Sequence, residues 1–130
     1  MTIEHIRLSR AARDQLITLK RRTGIMHWNV LCRWALCRSL AELAPPPAMK
    51  LALDSNVEMT WRVFAGDLGD TLWALVRYRC HQDGLPLDDE TLAQQFRLHL
   101  HRGIGYLVGD ARVTDIAGLA RLAFAEPPAA

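Results

Sequence analysis

The segment from Trp28 to Ala41 constrains the fold more than any other part of this 130-residue chain. The pattern predicts one helix, from about His27 or Trp28 to Glu42, with apolar residues on nearly every side. Such a helix must be buried around most of its circumference, and a chain of this length has little other structure to surround it. We therefore predict that a second subunit covers part of this helix.

A short strand and a basic helix precede this segment. The apolar positions within residues 3–8 predict the strand, and Ser9 is the expected N-cap of a helix that ends at Gly24. Strand, helix and helix within about residues 3–43 follow the order of ribbon-helix-helix proteins, in which strands of two chains pair and the helices interlock. The predicted fold class is therefore mainly α with short β-strands, with an oligomeric, ribbon-helix-helix-like N-terminal unit.

The remainder of the chain predicts a strand and further helices over about residues 57–124, which follow the linker 44–60 with its three consecutive prolines. We expect residues 1–130 to form a single domain. The first predicted element is a half-buried strand, whose alternation runs from Val57 to Val63 and which ends at Gly66. It is followed by a helix over 71–81, a helix from Asp88 to near Gly103, a glycine-rich turn over 103–109 and a short helix over 115–124.

The net charge of +2 conceals a strong asymmetry along the chain. Residues 1–40 contain eight basic and two acidic side chains, a balance of +6, and the other 90 residues have a balance of −4. Such an asymmetry indicates an anionic partner. The eight basic residues are Arg7, Arg10, Arg13, Lys20, Arg21, Arg22, Arg33 and Arg38.

Two interpretations of these cations stay open at this point. The cluster Lys20-Arg21-Arg22 ends the first helix, where positive charge complements the helix dipole without any ligand. The same cluster, together with the cations before it, suits contacts to DNA phosphates. Arg33 and Arg38 are about 140° apart around the second helix, so one is expected to form an interface ion pair and the other a DNA contact.

No arrangement of residues predicts catalysis. His99 and His101 are two positions apart, about 200° around a helix, so they cannot hold one metal ion there. The acids of residues 88–90 are typical of a helix start. We therefore predict no enzyme, no metal and no cofactor. The three cysteines, which we expect to be reduced core thiols, are Cys32, Cys37 and Cys80.

No apolar run has the length of a signal peptide or of a membrane-spanning helix. We therefore expect a cytoplasmic location and no membrane partner.

Three strings of sequence resemble one known family. They are LKRRTGI from Leu19 to Ile25, WNVLCRWA from Trp28 to Ala35, and RGIGYLVGD from Arg102 to Asp110. All three are similar to segments of the DndE family, the small component of the bacterial DNA phosphorothioation (DNA sulfur modification) machinery. The resemblance covers most of the chain.

The resemblance implies a non-enzymatic DNA-binding subunit that forms homodimers or homotetramers and prefers nicked double-stranded DNA. It also implies that this subunit works beside DndC- and DndD-like subunits and that a cysteine desulfurase acts upstream of them. The alternative is a protein-interaction adaptor with little DNA binding of its own; a nicking nuclease is disfavoured because no paired carboxylates are evident. The DNA contacts that the resemblance implies are the basic residues that match the family, Lys20, Arg21, Arg22 and Arg33. Charge alone adds Arg7, Arg10 and Arg13 as predicted DNA contacts.

Overall fold

Two helices, α2 (Trp28–Leu40) and α5 (Asp89–Gly109), pack along each other and form the centre of the fold. The computed structural model describes residues 3–124, so both ends of the predicted domain lie outside the described residues. The mainly helical class with short strands is confirmed. The other elements are β1 (His5–Arg7), α1 (Arg10–Thr23), β2 (Glu58–Thr60), α3 (Trp61–Ala65), α4 (Gly69–Gln82) and α6 (Ile116–Arg121), with 3-10 turns at Gly66–Leu68 and Leu122–Phe124.

Gly103 lies where α5 meets the backbone of α2. A Cβ atom at this position would overlap the carbonyl oxygen of Ala35, so only glycine lets the two helices approach this closely. The prediction of a turn over residues 103–109 is therefore wrong, and α5 continues without a break to Gly109. The glycines that suggested a turn are helical residues, and Gly103 serves the packing of one helix on another.

Helix α5 covers one side of α2, where Leu31, Cys32, Ala35 and Leu36 are fully buried. Part of the cover that we predicted from a second subunit thus comes from the same chain. Cys37 lies on the opposite side and is exposed, so its prediction as a core thiol is wrong. Two cysteines, Cys32 and Cys80, are buried and free as predicted.

The two strands form a small antiparallel sheet within one chain. Ile6 of β1 lies opposite Met59 of β2, and both side chains are buried. In a ribbon-helix-helix unit the first strand pairs with its copy in a second chain. The structure differs from that expectation, because β2 of the same chain supplies the pairing partner of β1.

The strand predicted from Val57 to Val63 is shorter than expected and ends at Thr60. The Thr60 hydroxyl accepts a hydrogen bond from the backbone N–H of Val63 at 3.1 Å, which makes Thr60 the N-cap of α3. The spacing of Trp61 and Phe64 then buries one side of a helix, and Val63, which would continue the alternation of a strand, is exposed.

Local end signals position the other helices. Ser9 accepts a hydrogen bond from the Ala12 N–H at 3.1 Å and begins α1, and Gly24 ends it with φ of 76° in the left-handed region. Asp88 caps α5 in the same way through Thr91. These caps are confirmed, as are the helices predicted over 71–81 and 115–124, which differ from the prediction at their ends. Within residues 3–124, no helix is long and apolar enough to span a bilayer.

Two arginines bind the C-terminal end of α2. Arg79 of α4 is buried and forms an ion pair with Asp83 at 3.1 Å, and Arg102 reaches across from α5. The last carbonyl groups of a helix have no partner within the helix, and these guanidinium groups supply the missing donors. The helix carbonyl oxygens that accept are those of Leu40 from Arg79 and Ser39 from Arg102. In the segment after the helix, Arg79 also donates to Leu43 and Ala44, and Arg102 to Ala44.

A buried histidine completes this network. Arg102 Nε donates to the Ser39 hydroxyl at 2.8 Å, and the same hydroxyl forms a hydrogen bond with His99 Nδ1, also at 2.8 Å. Burial, together with the charges of Arg102 and Arg79, lowers the pKa of His99 to about 4.

Candidate nucleic-acid interface

The predicted cations of α1 and β1 fall into two groups at opposite ends of α1. A helix rises about 1.5 Å per residue, which separates Arg10 from Lys20 by about 15 Å along the axis. The structure therefore does not bring all the predicted contacts together. The N-terminal group is Arg7, Arg10 and Arg13, and the C-terminal group is Lys20, Arg21 and Arg22.

The C-terminal group lies where α1 gives way to α2. Lys20 Nζ lies 3.5 Å from the centroid of the Trp28 ring, a cation–π contact that holds the ammonium group beside the first turn of α2. Arg21 is exposed. Arg22 is also exposed and donates to the carbonyl oxygen of Val108 at 2.8 Å, which anchors it to the end of α5.

No carboxylate of residues 3–124 lies within salt-bridge distance of Lys20, Arg21 or Arg22. The partial negative charge at the C-terminal end of α1 is equivalent to about half an elementary charge, so it offsets only a fraction of three cations. The chain turns away at Gly24, which leaves this end of the helix open to solvent. A concentrated positive potential therefore remains at this end of α1.

Acidic side chains accompany the N-terminal group. Arg7 forms an ion pair with Glu58 at 2.8 Å across the sheet. Asp54 accepts a hydrogen bond from the Arg10 N–H at 2.9 Å, with Arg10 Nε at 4.0 Å. The third member, Arg13, lies 3.6 Å from the carboxylate of its neighbour Asp14. These acids reduce the field that the N-terminal group presents to an anion.

Arg33 does not join either group. It is five residues beyond Trp28, which places it about 140° around α2 and about 7.5 Å along it. Its guanidinium donates to the carbonyl oxygen of Phe64 in α3 at 2.7 Å. The companion cation Arg38 forms an ion pair with Glu42 of its own chain at 2.8 Å.

The histidines and acids do not form a metal site in the part of the chain that the structure describes, since no three potential ligands come together there. His101 accepts from the Ser9 N–H through Nε2 at 3.2 Å and donates through Nδ1 to the Arg97 carbonyl at 2.8 Å. Burial lowers its pKa, and the hydrogen bond to Arg97 opposes that shift. Both ring nitrogens of His101 thus have structural partners.

The family profile of "DNA sulphur modification protein DndE" matches residues 5–115, which is most of the chain. The chain belongs to the DndE family. Among solved structures, it is similar to DndE from Escherichia coli B7A, described as involved in DNA phosphorothioation modification. That likeness has a TM-score of 0.68 and 26% identity, and it covers 82% of this chain and 98% of the other.

A DndE mutant with two glycine-to-lysine substitutions, described as involved in DNA phosphorothioation, has the same fold at a TM-score of 0.64 and 22% identity. That match also covers 82% of this chain and 98% of the other. No curated protein matches the chain.

Sequence reasoning did not identify Trp28 and Val108 as the residues that hold Lys20 and Arg22. Trp28 follows Lys20 by eight residues across the Gly24 turn, and this spacing is a usable signal once the turn is recognised. The contact between Arg22 and Val108 joins residues 86 apart, and no local pattern encodes it.

Proposed function

We propose that this DndE-family protein is a non-catalytic, DNA-binding subunit of the DNA phosphorothioation machinery in the cytoplasm. It contacts the backbone of double-stranded DNA, with a preference for nicked duplexes as the family resemblance implies. The observation that carries the proposal is the group Lys20, Arg21 and Arg22, which is exposed or half-buried and lacks acidic partners among residues 3–124.

The contacts that hold this group suit phosphate binding. The Trp28 ring restricts where the Lys20 ammonium group can move, and the Val108 carbonyl takes one donor of Arg22. Fixing long side chains in the free protein lowers the entropic cost of ordering them on DNA. Arg22 keeps its other guanidinium donors, which can bind phosphate oxygens in the two-point geometry that arginine favours.

We further propose that the chain acts as a homodimer or homotetramer together with DndC- and DndD-like subunits. Each copy in such an assembly would repeat the +6 segment of residues 1–40. Several such segments on one duplex would give a larger positive surface than one chain offers.

The proposal is tested by fluorescence anisotropy of labelled nicked and intact duplexes at low salt. We expect the triple variant K20A/R21A/R22A to bind at least about ten-fold more weakly than the parent protein, because phosphate contacts dominate affinity. The matched control is R7A/R10A/R13A, which removes as many cations from the other end of α1 and is expected to have a smaller effect. Equal losses in the two triple variants, or no loss in the first, would refute the assignment.

An apolar groove along α2 favours a second candidate function, that of a protein-interaction adaptor in the same machinery. Its lining includes Val30, Trp34 and Leu72, on the side of α2 that α5 leaves uncovered. Purified protein that does not bind DNA at low salt, yet co-purifies with its partner subunits, would support this candidate over the first.

A further inference from the structure

A groove runs between α2, α4 and the 3-10 turn after α6. It has a volume of about 430 Å³. Trp34 of α2 is half-buried and Leu68, just before α4, is about half exposed. Contiguous exposed apolar surface of this kind marks an interaction site more often than single apolar side chains do. The apolar lining consists of Val30, Trp34, Cys37, Ala41, Leu68, Leu72, Leu122 and Ala123.

Two cations interrupt this apolar lining, Arg33 and Arg38. Arg33 donates to the neutral carbonyl of Phe64, and no carboxylate of residues 3–124 lies within salt-bridge distance of it. Its charge therefore stands uncompensated beside apolar walls, where an ion pair is stronger than in open water. Arg38 has one partner, Glu42, and its guanidinium lies 5.0 Å from the Tyr106 ring centroid.

These features argue against two occupants, a DNA strand and a second copy joined groove to groove. A DNA strand would place charged phosphates against apolar walls, which is unfavourable. A second copy joined groove to groove about a two-fold axis would add two more arginines to the interface and no carboxylate, because the groove lining contains none among residues 3–124. An excess of like charge without counter-charges weakens an interface.

We propose that the groove binds an amphipathic helix of a different protein. Apolar side chains of that helix enter between α2 and α4, and carboxylates at its edge pair with Arg33 and Arg38. The lining from Val30 to Ala41 extends about 16 Å along α2, which is three turns of a docked helix. The inference rests on the adaptor function proposed above and does not depend on DNA binding.

The test uses the full-length protein and two synthetic 18-residue helical peptides. Both carry the same leucine face, and the residues that flank this face are glutamate in one peptide and lysine in the other. We expect the glutamate peptide to bind about ten-fold more tightly at low salt, with amide chemical-shift changes concentrated along the groove. The double variant R33Q/R38Q should remove the difference between the peptides.

Leu68→Asp tests the apolar part of the groove. Leu68 is about half exposed at the junction of the 3-10 turn and α4, so the substitution removes little buried apolar surface and places a carboxylate in the groove. The matched control is Ile116→Asp, which changes a similarly exposed residue outside the groove. We expect Leu68→Asp to abolish binding of the glutamate peptide and Ile116→Asp to retain it.

Three results would overturn the inference: binding of neither peptide, equal binding of both, or self-association of the protein that Leu68→Asp abolishes in light scattering. DNA affinity of the same variants separates this inference from the DNA-binding proposal. If the Leu68→Asp variant loses peptide binding and keeps its DNA affinity, the result supports peptide binding in the groove independently of the cations on α1.

Discussion

Replacing Gly103 with alanine tests the packing of α2 on α5 at its closest point. The new Cβ would overlap the carbonyl group of Ala35 and lie 3.0 Å from the α-carbon of the same residue, where ordinary van der Waals separation begins at 3.4 Å. The overlap with the carbonyl group is the more severe of the two, so the helices must move apart by more than roughly 0.4 Å. The obstacle is backbone rather than a flexible side chain, so the cost lies at the upper end for overpacking, about 3 kcal/mol.

Alanine also favours the helix over glycine by about 1 kcal/mol, which leaves a net destabilisation of about 2 kcal/mol for Gly103→Ala. The matched control is Gly105→Ala in the same helix, where the added Cβ meets nothing within 4 Å. We expect this control to stabilise the protein by up to about 1 kcal/mol.

Urea and thermal unfolding followed by circular dichroism measure both changes. For a domain of this size, 1 kcal/mol moves Tm by about 4 °C, so Tm should fall by about 8 °C for the first variant and stay level or rise for the second. Equal stability of Gly103→Ala and Gly105→Ala would refute the close approach of α5 to α2.

Two further predictions concern the buried polar network. Arg79→Met should destabilise the protein by about 3–5 kcal/mol in urea unfolding, because Asp83 and the last carbonyls of α2 lose a buried partner; an effect below about 1 kcal/mol would contradict this role. The pKa of His99 falls from 6.5 to about 4 on folding. The stability that depends on neutral His99 is therefore complete above about pH 6.5 and is lost as the pH falls toward 4. The total loss in unfolding free energy is about 3 kcal/mol. His99→Gln should flatten the unfolding free energy measured across that pH range, whereas an unchanged pH dependence would show that other groups cause it.

Helix ends were predictable from sequence because their signals are local. Ser9 and Asp88 accept hydrogen bonds from N–H groups three residues later, and Gly24 adopts a left-handed conformation that glycine tolerates. Gly103 misled the prediction because the sequence alone does not distinguish a glycine that permits close helix packing from a glycine that forms a turn. Thr60 misled it for a similar reason, since period-two alternation continues through a residue that caps a helix.

The cations were visible in the sequence, but their partners were not. Glu58 reaches Arg7 through the pairing of strands 51 residues apart, and Asp54 approaches Arg10 across a separation of 44 residues. The two groups of cations have the same formal charge, but acidic side chains lie beside the N-terminal group only. The C-terminal group at Lys20 has no acidic partner among residues 3–124. The groove along α2 was foreseen only as apolar surface in need of cover, because its other walls come from α4 and the turn after α6.

The salt dependence of DNA affinity tests the central claim most directly. The logarithm of the binding constant falls linearly with the logarithm of salt concentration, by about 0.9 for each phosphate that the protein neutralises. The K20A/R21A/R22A variant should lower the magnitude of that slope by up to about 2.7 on a duplex, and R7A/R10A/R13A should lower it much less. A slope for K20A/R21A/R22A equal to that of the parent protein would contradict phosphate contact by Lys20, Arg21 and Arg22.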